Sequence, residues 1–160
     1  GKDYLLNGLQ KNGFKPSVKI TTRPKRNGEI DGVNYHFKTN SEFDTLLESK
    51  DIIINQEFDI NGNRWQYGYD TQGFTSSNVF ILTPAEVLQI DEKSRKECFI
   101  VYLDIDKNTC RQRLSERMDN NDSIDRRMKS DDEDFKDFKD YDLKISDPLF
   151  DVDSILSLMV

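Results

Sequence analysis

Histidine is almost missing: the 160-residue chain has one, His36, beside two cysteines, Cys98 and Cys110. His36 has no serine, cysteine or metal-ligand company at a telling spacing. A Ser-His-Asp or zinc reading therefore has nothing to stand on, and His36 reads as a strand-face or surface residue. Two cysteines make neither a disulfide framework nor a metal cluster. Cys98 opens an apolar run and is expected to be a buried thiol, and a reducing, cytoplasmic setting follows. No apolar run approaches ~18 residues, so no helical membrane span is expected. Gly1 to Asn12 mixes Lys, Asp, Asn and Gln with its leucines, which does not fit a signal peptide. The acidic stretch 131–140 lacks the glycine and spacing of a calcium loop and reads as a solvated helix face. No metal-ligating residue set is expected anywhere. Internal repeats and low-complexity linkers are also missing, so one domain is expected.

What is present argues for a folded chain. Charged residues make up 33%, yet aromatics reach 11%, more than a disordered chain carries. The net charge of −7 disfavours nucleic acid as a partner. That charge is uneven. Residues 131–153 hold ten acidic side chains against Lys136, Lys139 and Lys144, a local −7, so the remainder is neutral. Within the neutral remainder lie two basic clusters, Lys15, Lys19, Arg23, Lys25, Arg26 and Arg111, Arg113, Arg117, Arg126, Arg127. Concentrated basic spots on an acidic chain point to small anionic ligands.

Along the chain, Lys2–Lys11 reads as a helix with Tyr4, Leu5, Leu6 and Leu9 on one face and Gly13 as its stop. Ser17 to Thr21 alternates like a strand, and Tyr35 to Phe37 reads as another. Ser41 is expected to cap a helix carrying Phe43, Leu46 and Leu47, with Asp44 as its box partner. Ile52–Ile54 reads as a strand, Asn61-Gly62 as a hairpin turn, and Arg64–Tyr67 as the returning strand. The continuous apolar runs Val79–Leu82 and Cys98–Ile105 read as strands covered on both faces, as in a parallel sheet. A short helix is expected over 85–90, an Arg-rich helix over about 108–118, and a break at Asn120-Asn121-Asp122. Ser123 then caps a polar helix to about Lys139. A last strand over 141–146 and a C-terminal helix over 152–159 complete an α/β domain with a small β-rich part.

The sharpest stretch is Thr21-Thr22-Arg23-Pro24-Lys25-Arg26-Asn27-Gly28-Glu29, followed by Asp31-Gly32-Val33-Asn34-Tyr35-His36-Phe37. Two arginines straddling a proline at a strand end suit bidentate grip on a phosphate, with the Tyr35 hydroxyl as a further donor. A solvated basic loop is the competing reading of the same residues. Gly1-Lys2-Asp3 opens the first helix directly, as the end of a phosphate-cradling loop does, although Asp3 stands where Ser or Thr would bind magnesium. Arg113 and Arg117 share a helix face, and Arg127 follows on the next helix. Arginines so placed neutralise charge during phosphoryl transfer, or simply salt an exposed helix.

Taken in order, these stretches resemble the guanylate kinase family of nucleoside-monophosphate kinases. The resemblance rests on Thr21 to Phe37, Tyr67-Gly68, Arg113-Leu114-x-x-Arg117, Ile124-x-x-Arg127 and Tyr141-Asp142. It implies a P-loop kinase-like parallel sheet flanked by helices. It also implies a β-rich nucleotide-binding subdomain over about 22–75 and a helical lid over about 117–130, within one domain spanning 1–160. It implies transfer of the γ-phosphoryl of ATP, carried with Mg2+, to a nucleoside monophosphate, first of all GMP or dGMP. Arg23, Arg26, Tyr35, Tyr67, Tyr69 and Glu57 would then bind the acceptor. Gly1, Lys2, Asp3, Arg113 and Arg117 would bind ATP, with Lys2, Arg117 and Arg127 acting in catalysis.

The chain departs from the family at several points. The strand and glycines expected before Gly1 are not in the chain as written, so the phosphate loop is expected to be truncated or missing. The acidic residue that reads guanine falls on Ile54 when counted without gaps from Tyr35, and Glu57 is the nearest carboxylate. Tyr69 stands at the hydroxyl position after Tyr67-Gly68. Thr83 replaces an acidic residue, and Lys19 replaces a serine. Two readings follow: an enzyme acting on nucleotides, or an inactive module of the same fold that binds a phosphorylated peptide or partner protein.

Overall fold

A computed structural model describes residues 1–117 and 122–159. The chain forms two compact units, one holding Gly1–Gly13 with Ile81–Val160 and the other Phe14–Phe80.

Helix α1 (Lys2–Lys11) opens the first unit. Leu5 and Leu9, four residues apart, are buried on one face, and Gly13 ends the segment at a φ of +86° that suits glycine. The face expected to include Tyr4 is narrower, because Tyr4 is exposed and sets only a ring edge against Phe150.

The second unit holds a four-stranded sheet. Strands β1 (Ile20–Thr21) and β2 (His36–Phe37) pair in parallel. Helix α2 (Asn40–Glu48) follows, then β3 (Ile52–Ile60) and β4 (Asn63–Asp70) as an antiparallel hairpin, and α3 (Thr71–Ser76). The strand order is β2-β1-β4-β3. Asn61 and Gly62 both take positive φ, the pair of conformations a two-residue hairpin turn demands. The expected Ser17–Thr21 strand is trimmed to two residues. The cap of α2 is Thr39 rather than Ser41: Thr39 and Glu42 complete a reciprocal capping box, while Asp44 is engaged by Arg64 and Gln66. Phe43 of α2 is fully buried with Ile20 and Ile52, worth about 1.5–3 kcal/mol as burial of one aromatic side chain. Gly68 makes room for it: a Cβ there would lie 3.0 Å from the Phe43 ring and 3.0 Å from the Ile54 carbonyl oxygen.

The Val79–Leu82 run is not a strand. Val79 makes one isolated bridge to Pro16, and Phe80 turns its ring onto Phe74 and Tyr69 at centroid distances of 4.9 and 5.3 Å. Apolar content was spent on ring packing instead of a ladder. Thr83 then caps α4 (Pro84–Val87) in a second capping box, with Glu86 returning the bond and Pro84 in the first turn.

The first unit continues with α5 (Glu92–Lys96), β5 (Val101–Leu103), α6 (Lys107–Glu116), α7 (Ile124–Phe135), β6 (Leu143–Ile145) and α8 (Val152–Leu158). Strands β5 and β6 pair in parallel, as the alternation of strands and helices requires. β5 is half-buried throughout, not covered on both faces. Cys98 precedes the strand and is exposed, which corrects the expectation of a buried thiol; Cys110 is half-buried. Ser123 caps α7 as expected. The helix stops at Phe135 rather than Lys139, because Asp137 takes positive φ and Phe135 and Phe138 turn onto Tyr102. The end of the Arg-rich helix at Met118 and the break at Asn120-Asn121 lie outside the described residues.

Close approach of α1 and α8 depends on Gly8. A Cβ at Gly8 would lie 2.7 Å from both Val152 methyl carbons, and Val152 is buried. Gly8→Ala gains ~1 kcal/mol of helix propensity but meets overpacking of about 1–3 kcal/mol. The variant is therefore expected to unfold at lower urea than the wild type; a rise in midpoint would contradict this contact.

Candidate active site

The residues expected on the acceptor side lie in the second unit. Arg23 leaves β1 and is 2% exposed. Its Nη2 donates to Glu29 Oε1 at 2.7 Å and its Nη1 to the Pro24 carbonyl at 2.7 Å. Glu29 Oε2 accepts from the Arg26 backbone N–H, also at 2.7 Å. One carboxylate thus fixes both arginines of the motif, one through its guanidinium and one through its backbone. Burial alone would raise the Glu29 carboxyl, but the hydrogen bonds from Arg23 and Arg26 hold it below its ordinary value. Burial likewise opposes the Arg23 charge, and the bond to Glu29 more than restores it.

Three aromatic rings wall this pair. The Arg23 guanidinium carbon stands 5.3 Å from the Tyr35 ring centre and 5.8 Å from that of Phe37, within range of cation–π attraction. Tyr35 meets Tyr67 edge-on at 6.2 Å. Burial pushes the Tyr67 phenol up, against the pull of Arg23 and Arg26, so it remains a hydroxyl donor at neutral pH. The structure therefore gathers Arg23, Arg26, Tyr35 and Tyr67.

Glu57 does not join them. Directly opposed residues share a sheet face, and Glu57 opposes Gln66 while Gln56 opposes Tyr67. Glu57 falls on the face toward α2, where Arg64 Nε donates to it at 2.7 Å and Arg64 Nη1 donates to Asp44 at 2.9 Å. Tyr69 shares the Tyr67 face but is 2% exposed, packed against Phe80. Glu29 has a role that the motif spacing signals only by its place three residues after Arg26. Lys19 also belongs to the Tyr67 face, which the sequence alone does not signal.

The remaining candidates lie in the first unit. Gly1 precedes α1, and Asp3 in its first turn receives Lys2 at 3.9 Å and Arg117 Nη2 at 3.3 Å. Arg113 Nη2 donates to the Pro148 carbonyl at 3.2 Å. An open pocket of about 490 Å³ is lined by Gly1, Asp3, Tyr4, Arg113, Arg117 and Phe150, among others. Arg127 lies in the first turn of α7, 4.0 Å from the carboxylate of Asp122, which also accepts twice from Arg126. Asp131, one turn further, lies within the fields of Arg127 and Lys2; partial burial raises its carboxyl against both. Lys2 and Arg127 thus both bear on Asp131 electrostatically, and Gly1, Asp3, Arg113 and Arg117 line one pocket. Residues 118–121 of the expected lid lie outside the described residues. Among the described residues no group of three or more His, Cys, Asp and Glu side chains could hold a metal ion, and no helix is long and apolar enough to cross a membrane.

Comparison with known proteins gives the family and the fold. The guanylate kinase family profile matches residues 1–153. The guanylate kinase of Alkalilimnicola ehrlichii is 31% identical over 162 residues, covering 94% of this chain and 77% of that protein. That of Halalkalibacterium halodurans is 28% identical over 147 residues, covering 89% and 72%. Among solved structures, guanylate kinase from Anaplasma phagocytophilum superposes with a TM-score of 0.68 over 97% of this chain and 76% of its own, at 20% identity. The fold is that of a P-loop kinase, and the class is phosphotransferase. The chain belongs to the guanylate kinase family.

The Glu29 geometry carries a pH signature. A carboxyl held below its ordinary value contributes stability that is complete above the unfolded-state value and is lost as pH falls through the folded-state value. Glu29→Gln leaves Arg23 buried without its counter-charge and should cost about 3 kcal/mol near neutral pH. The gap should close on acidification, because the wild type then loses what the variant never had. Thermal unfolding from neutral to acid pH checks this; a gap that stays constant contradicts it.

Proposed function

We propose that the chain phosphorylates a nucleoside monophosphate, with GMP and dGMP as leading acceptors and ATP as donor. The observation that carries the reading is the Arg23–Glu29–Arg26 arrangement walled by Tyr35 and Tyr67, which fixes two arginines of one loop beside two phenols. Arg23 has guanidinium hydrogens beyond those given to Glu29 and Pro24, and Arg26 brings a second guanidinium. Together with the hydroxyls of Tyr35 and Tyr67 they hold the acceptor phosphate and leave an oxygen free to attack.

Phosphoryl transfer asks for positioning and charge neutralisation rather than a covalent group, which suits a chain with one histidine. Lys2 at the start of α1 and Arg127 at the start of α7 supply cations for the γ-phosphoryl as charge builds on it. Arg117 and Arg113 hold the donor nucleotide. Mg2+ arrives with ATP and takes most of its ligands from phosphate and water. The Asp3 carboxylate is engaged by Lys2 and Arg117, so it adds little to those ligands.

The test is ATP-dependent diphosphate formation from GMP, dGMP, AMP, CMP and UMP, with three variants alongside. Diphosphate from GMP supports the reading. Arg26→Ala is expected to weaken monophosphate binding by about tenfold or more, while Lys25→Ala, at an exposed position between the two motif arginines, changes it little. Arg127→Ala is expected to lower turnover about a hundredfold with little change in monophosphate affinity. Monophosphate binding with no product from any acceptor would turn the reading to a phosphate-binding module.

A further inference from the structure

Half of the chain's eight glycines follow an asparagine, in Asn7-Gly8, Asn12-Gly13, Asn27-Gly28 and Asn61-Gly62. Such a pair is open to reaction within itself, because glycine has no side chain to keep its backbone nitrogen from the asparagine side-chain carbonyl. Whether that nitrogen is already committed to a hydrogen bond separates the four. Gly8 lies inside α1, where amides donate back four residues along the helix. The Gly13 N–H donates to the Gln10 carbonyl at 3.0 Å. The Gly62 N–H donates to Asp59 Oδ1 at 2.9 Å. Among the described residues, nothing accepts from the Gly28 N–H.

The turn accounts for the difference. The Glu29 N–H donates to the Arg26 carbonyl at 3.2 Å, which makes Asn27 and Gly28 the central residues, and Gly28 takes a φ of +82°. A turn closed by its outer residues leaves the amide between its central residues unpaired. Asn27 and Gly28 are both exposed, and a Cβ at Gly28 would meet nothing within 4 Å. A nucleophilic nitrogen and the carbonyl carbon it would attack are therefore adjacent and unhindered. They sit between the two residues, Arg26 and Glu29, whose hydrogen bond fixes the loop.

We propose that Asn27 is a self-modifying site: the Gly28 backbone nitrogen attacks the Asn27 side-chain carbonyl carbon and closes a succinimide ring. The new C–N bond forms as the bond to the side-chain nitrogen breaks, and that nitrogen leaves as ammonia with the Gly28 proton. Water then adds across one of the two imide C–N bonds. One opening gives aspartate at position 27. The other gives isoaspartate, whose main chain runs through the side-chain methylene and is one carbon longer. Either product places a carboxylate next to Arg26, and isoaspartate also lengthens the turn that the Arg26 carbonyl and the Glu29 N–H close. The effect on function rests on the reading of this loop as the phosphate grip: modification weakens its hold on a phosphate monoester.

Incubation of the full chain in mildly alkaline buffer, followed over time by peptide mapping with mass spectrometry, tests this. Replacement of the side-chain amino group by a hydroxyl is expected at Asn27 about tenfold or more faster than at Asn7, Asn12 or Asn61, whose glycine amides must first release a hydrogen bond. Isoaspartate is expected beside aspartate at position 27. Calorimetric titration of the aged protein should show GMP bound about threefold or more weakly than by fresh protein, the size of one exposed like charge. Asn27→Ala, which has no side-chain carbonyl to attack, should keep its affinity through the same incubation. No conversion at Asn27, or faster conversion at any of the other three pairs, overturns the proposal. Conversion at Asn27 with GMP affinity unchanged overturns its effect on the grip. Fresh protein that binds no GMP overturns the phosphate-grip reading instead, and the peptide map still decides the modification. The map needs no variant, so it stands whether or not Asn27→Ala folds.

Discussion

Arg23 has almost no solvent beside it, and Glu29 is the group that makes its charge tolerable there. A guanidinium so placed without a counter-charge would be strongly destabilising. With Glu29 it becomes a fixed point, because the second carboxylate oxygen takes the Arg26 backbone N–H. The loop between β1 and β2 is therefore held at both arginines by one side chain. Tyr35 and Phe37 pack over the guanidinium and Tyr67 closes the wall, so the aromatic surroundings exclude water and strengthen the same pair. Removing the pair would undo the loop, the wall and the proposed phosphate grip together.

The hairpin register is the second constraint. Because opposed residues share a face, one pairing sets Tyr67 with Gln56 and sends Glu57 to the side of α2. That side is organised by Phe43 in the notch left by Gly68, and by Arg64 spanning Glu57 and Asp44. The buried Gln66 adds to it through Asn40 and Asp44. The two faces differ, with a polar network on one and, on the other, the aromatic wall of the proposed phosphate site. A residue's neighbours in sequence say little about which face it serves until the turn fixes the register.

Much of the fold was legible where the signal is local. Asn61-Gly62 announced its hairpin, Leu5 and Leu9 their helix, and Ser123 its cap, since each depends on residues within one turn. The arginine motif was legible for the same reason. What failed depended on choices that composition leaves open. Val79–Leu82 has the composition of a buried strand, but Phe80 is claimed by Phe74 and Tyr69. Cys98 looked buried by virtue of an apolar run whose ladder starts three residues later, at Val101. Ser41 lost the cap to Thr39 because Glu42, not Asp44, completes the box. Within the candidate site, the place of Lys19 over Tyr67 and Tyr69 follows from pairing of β1 with β4 across more than forty residues, and the exclusion of Glu57 from the register of the β3–β4 hairpin, neither of which composition encodes.

The central claim is that the Glu29 carboxylate pre-organises the phosphate grip, and its most direct test is the affinity of folded Glu29→Gln protein for GMP at neutral pH. If Glu29 sets Arg23 and the Arg26 backbone for the phosphate, affinity falls about tenfold or more although Glu29 itself carries the wrong charge to touch a phosphate. An affinity equal to or tighter than that of the wild type would contradict the account. It would show that the arginines find the phosphate without Glu29.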